Sequence, residues 1–158
     1  PSKRRPVKVI KILSNIRSLF TEKLYKSDLT RELTCPESLS YYGDPLMLEF
    51  VLLNLIGQPL HMLPKNGKIE IKAIDKKEGI FIQVKDNGFP ANNNSQKQLQ
   101  QAFSFFTTEN QFQQLCRDND FFYEYNKDEN GLNRATIFFP HGEEESLNSN
   151  IVHLFSNG

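Results

Sequence analysis

Between Leu46 and Ile56 almost every position is apolar, and only Glu49 and Asn54 interrupt the run. Leu46, Met47, Phe50, Val51, Leu53 and Asn54 recur at spacings of three and four, which predicts a helix with one face turned to a core. Leu48, Leu52, Leu55 and Ile56 widen that face, so most of the helix is expected to be buried. Asp44 is a suitable cap, and Pro45 falls at the first helical position, where proline is tolerated. Asn54 sits near the middle of the run. A buried amide must find partners, so it is either tied to a neighbour or faces a cavity. Pro59 lacks the amide hydrogen that would bond to Leu55, and its ring presses on that carbonyl, a cost of ~3 kcal/mol mid-helix. The helix is therefore expected to kink or end near Gly57-Gln58.

Elsewhere the pattern alternates between the two periods. Lys68 to Ala73 has the period of two of a half-buried strand, and Ile80 to Lys85 repeats it, with Lys76 to Gly79 as the loop of a hairpin. Pro64-Lys65-Asn66-Gly67 is a turn signal before them. Near the start, Val9, Ile12, Leu13, Ile16, Leu19 or Phe20, and Lys23 or Leu24 mark an amphipathic helix. Its basic beginning reads as a solvated face, and residues 1–6 as a frayed tail and linker remnant. Leu29, Arg31, Leu33 and Cys35 share one side of an edge strand that Pro36 ends. Beyond Gly88 come a polar loop, a short helix start at Gln96–Gln101, and a helix from Glu109 to Arg117 carrying Phe112, Leu115 and Cys116 inward. A strand at Phe121–Tyr125, a loop containing Gly131 and a strand at Ala135–Pro140 follow. The tail 141–158 is acidic at first and expected to be disordered, with Ile151, Val152, Leu154 and Phe155 suited to docking as a short helix.

Composition narrows the function classes. The length of 158 residues suits one domain. Lys+Arg and Asp+Glu stand at 19 each, so the balanced charge makes no electrostatic case for nucleic acid or an anionic membrane. No stretch is long enough to span a bilayer. Cys35 and Cys116 are far apart without metal spacing and read as free thiols of a reducing cytoplasm.

One combination of motifs is specific. Gly43-Asp44-Pro45, then Val51-Leu52-Leu53-Asn54-Leu55, then Pro64 with Gly67, a hairpin, and Asp86-Asn87-Gly88 follow one another in the order and spacing of the ATP-binding domain of sensor histidine kinases. The chain resembles that family, part of the GHKL superfamily with the Bergerat fold, from about Val7 to Pro140. The resemblance implies a two-layer α/β (α+β) sandwich, a mixed, mostly antiparallel sheet on about three helices. It makes residues 7–140 the histidine kinase-like domain.

The resemblance also assigns a site. Asp86 matches the carboxylate that accepts the adenine amino group, and a carboxylate is an acceptor only. Gly88 matches the glycine that lets backbone approach the base. Asn54 matches the first of two helix amides that hold magnesium and its phosphates, because a hard cation wants oxygen ligands. Gln58 stands at the second, where asparagine is expected, with its oxygen displaced by about 1–1.5 Å. Octahedral magnesium tolerates such a shift badly. His61 and Met62 replace the family's lysine and aromatic positions, and His61 reads as a partly exposed helix-end histidine rather than a ligand. Pro90 replaces the second glycine of the Asp-x-Gly-x-Gly box. The glycine-rich box whose backbone N–H groups bind triphosphate is missing. Thr107-Thr108-Glu109-Asn110 stands in its place, after the phenylalanine-rich Ala102 to Thr108, and the mobile lid is deleted. His61, His141 and His153 lack the acidic context of a phosphoacceptor.

The expectation is therefore a degenerate ATP-binding-like domain of a sensor histidine kinase or histidine phosphotransferase. Asp86, Gly88, Asn54 and Gln58 would form a vestigial ATP site, with no cofactor expected and kinase or ATPase activity lost. Its partners would be a response-regulator receiver domain, its own dimerisation and phosphotransfer segment, or both, with no nucleic acid and no direct membrane contact. The location would be cytoplasmic, free or as part of a membrane-anchored protein. Phosphotransferases with a nucleotide-free, kinase-like second domain are a precedent within the superfamily. One alternative is a divergent but active ATP-binding domain, with Asn54 on magnesium; another is a structural module alike in fold only.

Overall fold

A computed structural model describes residues 4–20, 30–89 and 93–141. The elements in chain order are β1 (Arg5–Lys8), α1 (Val9–Leu19), β2 (Thr30–Thr34), β3 (Ser40–Gly43), α2 (Pro45–His61), β4 (Lys68–Lys76), β5 (Gly79–Asp86), α3 (Asn93–Ala102), α4 (Glu109–Asp118), β6 (Phe122–Lys127) and β7 (Asn133–Pro140). Five strands form one sheet in the order β2-β4-β5-β7-β6, and β1 pairs with β3 in a separate two-stranded ribbon. Among the described residues only the β2–β4 pair is parallel; the other pairs in the sheet are antiparallel. The layered sandwich and its mixed, mostly antiparallel sheet agree with expectation.

The sheet turns its alternate side chains to the helices. In the β5–β7 register Ile80 lies opposite Phe139, Ile82 opposite Ile137, Val84 opposite Ala135 and Asp86 opposite Asn133. All eight are buried. Each fully buried large apolar side chain contributes about 1.5–3 kcal/mol from leaving water. The polar pair ends the row, and it opens the site described below.

Helix α2 is buried around most of its circumference, from Val51 through Gly57 without a break. Its start follows the sequence: the Asp44 side chain accepts the Leu46 N–H at 2.9 Å, and Pro45 opens the first turn. Helix α1 buries Val9, Ile12, Leu13 and Ile16. Helix α4 buries Phe112 and Cys116, and the Phe112 ring meets Tyr123 of β6 edge-on at 4.8 Å. Burial pushes the Cys116 thiol up to about 11, which makes it an inert core residue.

Two local expectations are corrected. The basic start is no frayed tail from Arg5 onward, because β1 pairs residue by residue with β3. That pairing also reveals β3, a strand too short to show a period. Helix α2 does not end at Gly57-Gln58 but runs through Pro59 to His61. Only the last turn follows Pro59, so one lost bond is all the proline imposes. That turn closes through Met62 N–H, which reaches the Gln58 carbonyl at 3.2 Å and the Pro59 carbonyl at 3.0 Å. The His61 ring is wedged among Phe20, Phe103 and Phe106, with centroids 4.9 to 5.8 Å away, and packing outweighs the local cost. Lys23, Leu24 and the proposed docking segment 151–155 lie outside the described residues.

Candidate functional site

Asn54 and Gln58 lie one turn apart on α2, and both face the phenylalanine-rich stretch before α4. Asn54 is 2 % exposed. Its Nδ2 donates to the Phe50 and Phe105 carbonyls, both at 3.1 Å. Its Oδ1 accepts from the Thr107 N–H at 2.9 Å, the Thr107 hydroxyl at 3.2 Å and Gln58 Nε2 at 3.1 Å. The amide cannot be turned over, because a backbone N–H demands oxygen on one side and two carbonyls demand N–H on the other.

Gln58 Nε2 also donates to the Thr107 carbonyl at 3.0 Å, and Gln100 Nε2 on α3 donates to the Phe106 carbonyl at 3.3 Å. Three consecutive carbonyls, of Phe105, Phe106 and Thr107, thus each receive a side-chain amide. Backbone without regular structure must find such partners when it is buried. The extra methylene of Gln58 is what lets an amide on the next turn reach past Asn54 to the loop. Inside the loop, Phe106 fills the space over Gly57: a Cβ built there would meet the Phe106 and Phe20 rings at 2.9 Å.

Only Thr107 and Thr108 separate Phe106 from α4. The helix opens on a capping box. Thr108 Oγ1 accepts the Gln111 N–H at 3.1 Å, and Gln111 Oε1 accepts the Thr108 N–H at 2.9 Å. Glu109 occupies the first turn, where a negative charge suits the helix dipole.

Across the cavity from α2, Asp86 ends β5 at 5 % exposure. Its Oδ1 accepts the Gly88 N–H at 2.8 Å and Asn133 Nδ2 at 3.0 Å. Asn133 Nδ2 also reaches the Gly88 carbonyl at 2.8 Å, so one amide clamps the Asp-Asn-Gly turn at both ends. Burial pushes the Asp86 carboxyl above the usual carboxylate range, although the Asn133 and Gly88 bonds pull the other way. The hydrogen bonds that Asp86 makes among the described residues all land on Oδ1, and the residue lines the cavity.

The cavity holds about 260 Å³ between α2, α4 and the β5–β7–β6 sheet. Asn54, Gln58, Asp86, Gln96, Glu109, Phe112, Tyr123, Tyr125 and Asn133 are among its lining residues, with Phe89 at the mouth. No lysine, arginine or histidine lines it among the described residues. The tyrosines register that imbalance. Burial and then the Glu109 carboxylate push Tyr123 far up, and burial with Asp86 and Glu109 raises Tyr125. No cluster of potential metal ligands occurs among the described residues.

Of the expected site residues, Asp86, Asn54 and Gln58 meet on this cavity. Gly88 does not line it. A Cβ on Gly88 would stand 2.9 Å from the Met62 carbonyl, so the missing side chain lets the turn close on the end of α2. Asn133, Tyr123, Tyr125 and Gln100 were not foreseen. Asn133 is opposite Asp86 only through the non-local β5–β7 register.

The sequence matches no family model and no curated protein. Solved structures do match. The catalytic domain of the histidine kinase ThkA, in a nucleotide-free form, superposes with a TM-score of 0.67 at 22 % identity, covering 87 % of this chain and 97 % of that one. The fold is that of the histidine-kinase catalytic domain. The ATP-binding domain of PrrB from Mycobacterium tuberculosis agrees, with a TM-score of 0.63 at 16 % identity over 90 % of this chain and all of that domain (100 %). ThkA in complex with the response regulator TrrA matches at a TM-score of 0.69 and 22 % identity, over 88 % of this chain and 42 % of that one.

Proposed function

We propose that this chain is the catalytic-domain half of a two-component signalling protein, a sensor histidine kinase or histidine phosphotransferase, which has little or no nucleotide binding and acts through protein contacts. The observation that carries the reading is the state of Asn54 Oδ1. That oxygen would have to face magnesium, and it already accepts three hydrogen bonds. A magnesium ion demands octahedral oxygen ligands at about 2.0–2.1 Å, which three crowding donors do not permit. A triphosphate wants cations or a nest of free N–H groups. Among the described residues the cavity offers neither a basic side chain nor a glycine-rich turn, and Glu109 adds a charge of the wrong sign. The residues present do not fit a magnesium-bound triphosphate, and Asp86, Gly88, Asn54 and Gln58 then form a vestigial site.

A response-regulator receiver domain is the partner this reading favours, together with the domain's own phosphotransfer segment. The ThkA complex with its response regulator supports it by analogy of fold. The proposed setting is cytoplasmic; no helix of the described residues is long and apolar enough to cross a membrane. Titration against receiver domains from the same genome tests the reading. One of them should bind with a Kd on the order of micromolar, unchanged by Mg-ATP. Phosphoryl transfer from ATP to a phosphoacceptor histidine, with no receiver bound, would overturn it.

The open cavity beside Asp86 favours a second reading, a divergent but active ATP-binding domain with ATP and magnesium as cofactors. An Mg-ATP thermal shift abolished by Asp86→Ala would establish it.

A further inference from the structure

We infer that the cavity between α2, α4 and the sheet binds a small organic cation, an ammonium group on an aromatic or aliphatic body. The inference rests on the nucleotide-free reading of the same site and names what would occupy it instead. Two carboxylates face the space: Asp86 from the end of β5 and Glu109 from the first turn of α4. Asp86 is 5 % exposed, its bonds to Gly88 and Asn133 both fall on Oδ1, and Oδ2 remains without a hydrogen-bond partner among the described residues. A carboxylate oxygen so placed accepts a donor, and a charged donor forms the stronger bond.

The rest of the lining agrees. Phe112, Tyr123 and Tyr125 present rings, whose faces attract cations, with Phe89 at the rim. Gln96 and Asn133 are neutral amides, and no cationic side chain among the described residues competes for the acids. The volume of about 260 Å³ suits a molecule of one ring and a short arm and is small for a drug-sized ligand. Helix-dipole stabilisation alone explains a carboxylate at the start of α4, but not a second one from β5 facing the same space.

The probes are 2-phenylethylammonium, its neutral analogue 2-phenylethanol, the anion 3-phenylpropionate and Mg-ATP. Each is titrated into the isotope-labelled protein and followed by amide chemical shifts. The ammonium should shift resonances of Asp86, Glu109 and Tyr123, the alcohol should bind about tenfold more weakly, and the carboxylate should not bind. Glu109→Gln should weaken the ammonium about fivefold while leaving the fold intact by circular dichroism. Asp86→Asn should do the same, and if it fails to fold, Glu109→Gln decides. Equal binding of ammonium and alcohol, or an unchanged affinity in Glu109→Gln, overturns the inference. Silence of the ammonium with silence of Mg-ATP overturns it alone. Mg-ATP binding at Asp86 overturns the nucleotide-free reading as well.

Discussion

Asn54→Asp separates a structural amide from a metal ligand. The substitution keeps the shape and keeps an oxygen toward Thr107 and Gln58. On the other side it replaces Nδ2 by oxygen facing the Phe50 and Phe105 carbonyls, each now 3.1 Å from the amide nitrogen. Two hydrogen bonds are lost, about 1 kcal/mol each. The Phe50 carbonyl keeps its place in the helical ladder, whereas the Phe105 carbonyl is orphaned, a further ~1–2 kcal/mol. The sum is about 3–4 kcal/mol, before any cost of charging a site that is 2 % exposed. For a domain of this size it lowers Tm by about 6–16 °C. The assay is thermal and urea unfolding, with and without millimolar magnesium. The deficit should shrink at low pH, because a protonated carboxyl can again donate to one carbonyl. A variant within about 1 kcal/mol of wild type, or one that magnesium restores, would refute the staple, since a carboxylate is the better magnesium ligand.

Gln58→Ala removes the bonds to Asn54 and Thr107 and should cost about 1–2 kcal/mol in urea unfolding, less than Asn54→Asp. Gly57→Ala tests packing against propensity: alanine favours the helix by about 1 kcal/mol, yet its Cβ would press on the Phe20 and Phe106 rings at 2.9 Å. Overpacking of ~1–3 kcal/mol should win, and calorimetric melting should show a lower Tm. Asp86 carries a pH signature. Its folded carboxyl sits above the ordinary value of 3.8, so through the window between them the folded state holds more protons and stability falls as pH rises. Asp86→Asn should flatten that slope in unfolding measured from pH 3 to 7, a range set about the ordinary carboxylate value.

The legible part of this molecule was the local part. Asp44 and Pro45 announced α2, and the alternation around Ile71 and Ile82 announced the β4–β5 hairpin. Asn54 declared itself by being polar inside an apolar run, and it is both tied to its neighbours and part of the cavity wall. What stayed hidden depends on distant pairing. Asn133 faces Asp86 only because β7 docks on β5 in one register. The carbonyls of Phe105, Phe106 and Thr107 need amides from two helices, α2 and α3, which no single window of sequence displays. Pro59 misled for the opposite reason: its local cost is real, but the ring packing around His61 exceeds it.

Isothermal calorimetry of the wild-type chain with Mg-ATP tests the central claim most directly. The amide staple predicts no saturable heat up to millimolar nucleotide, with or without excess magnesium. A saturable isotherm with a Kd near ~10 µM, worth ~7 kcal/mol, would mean that Asn54 releases Thr107 for the metal and would contradict the account.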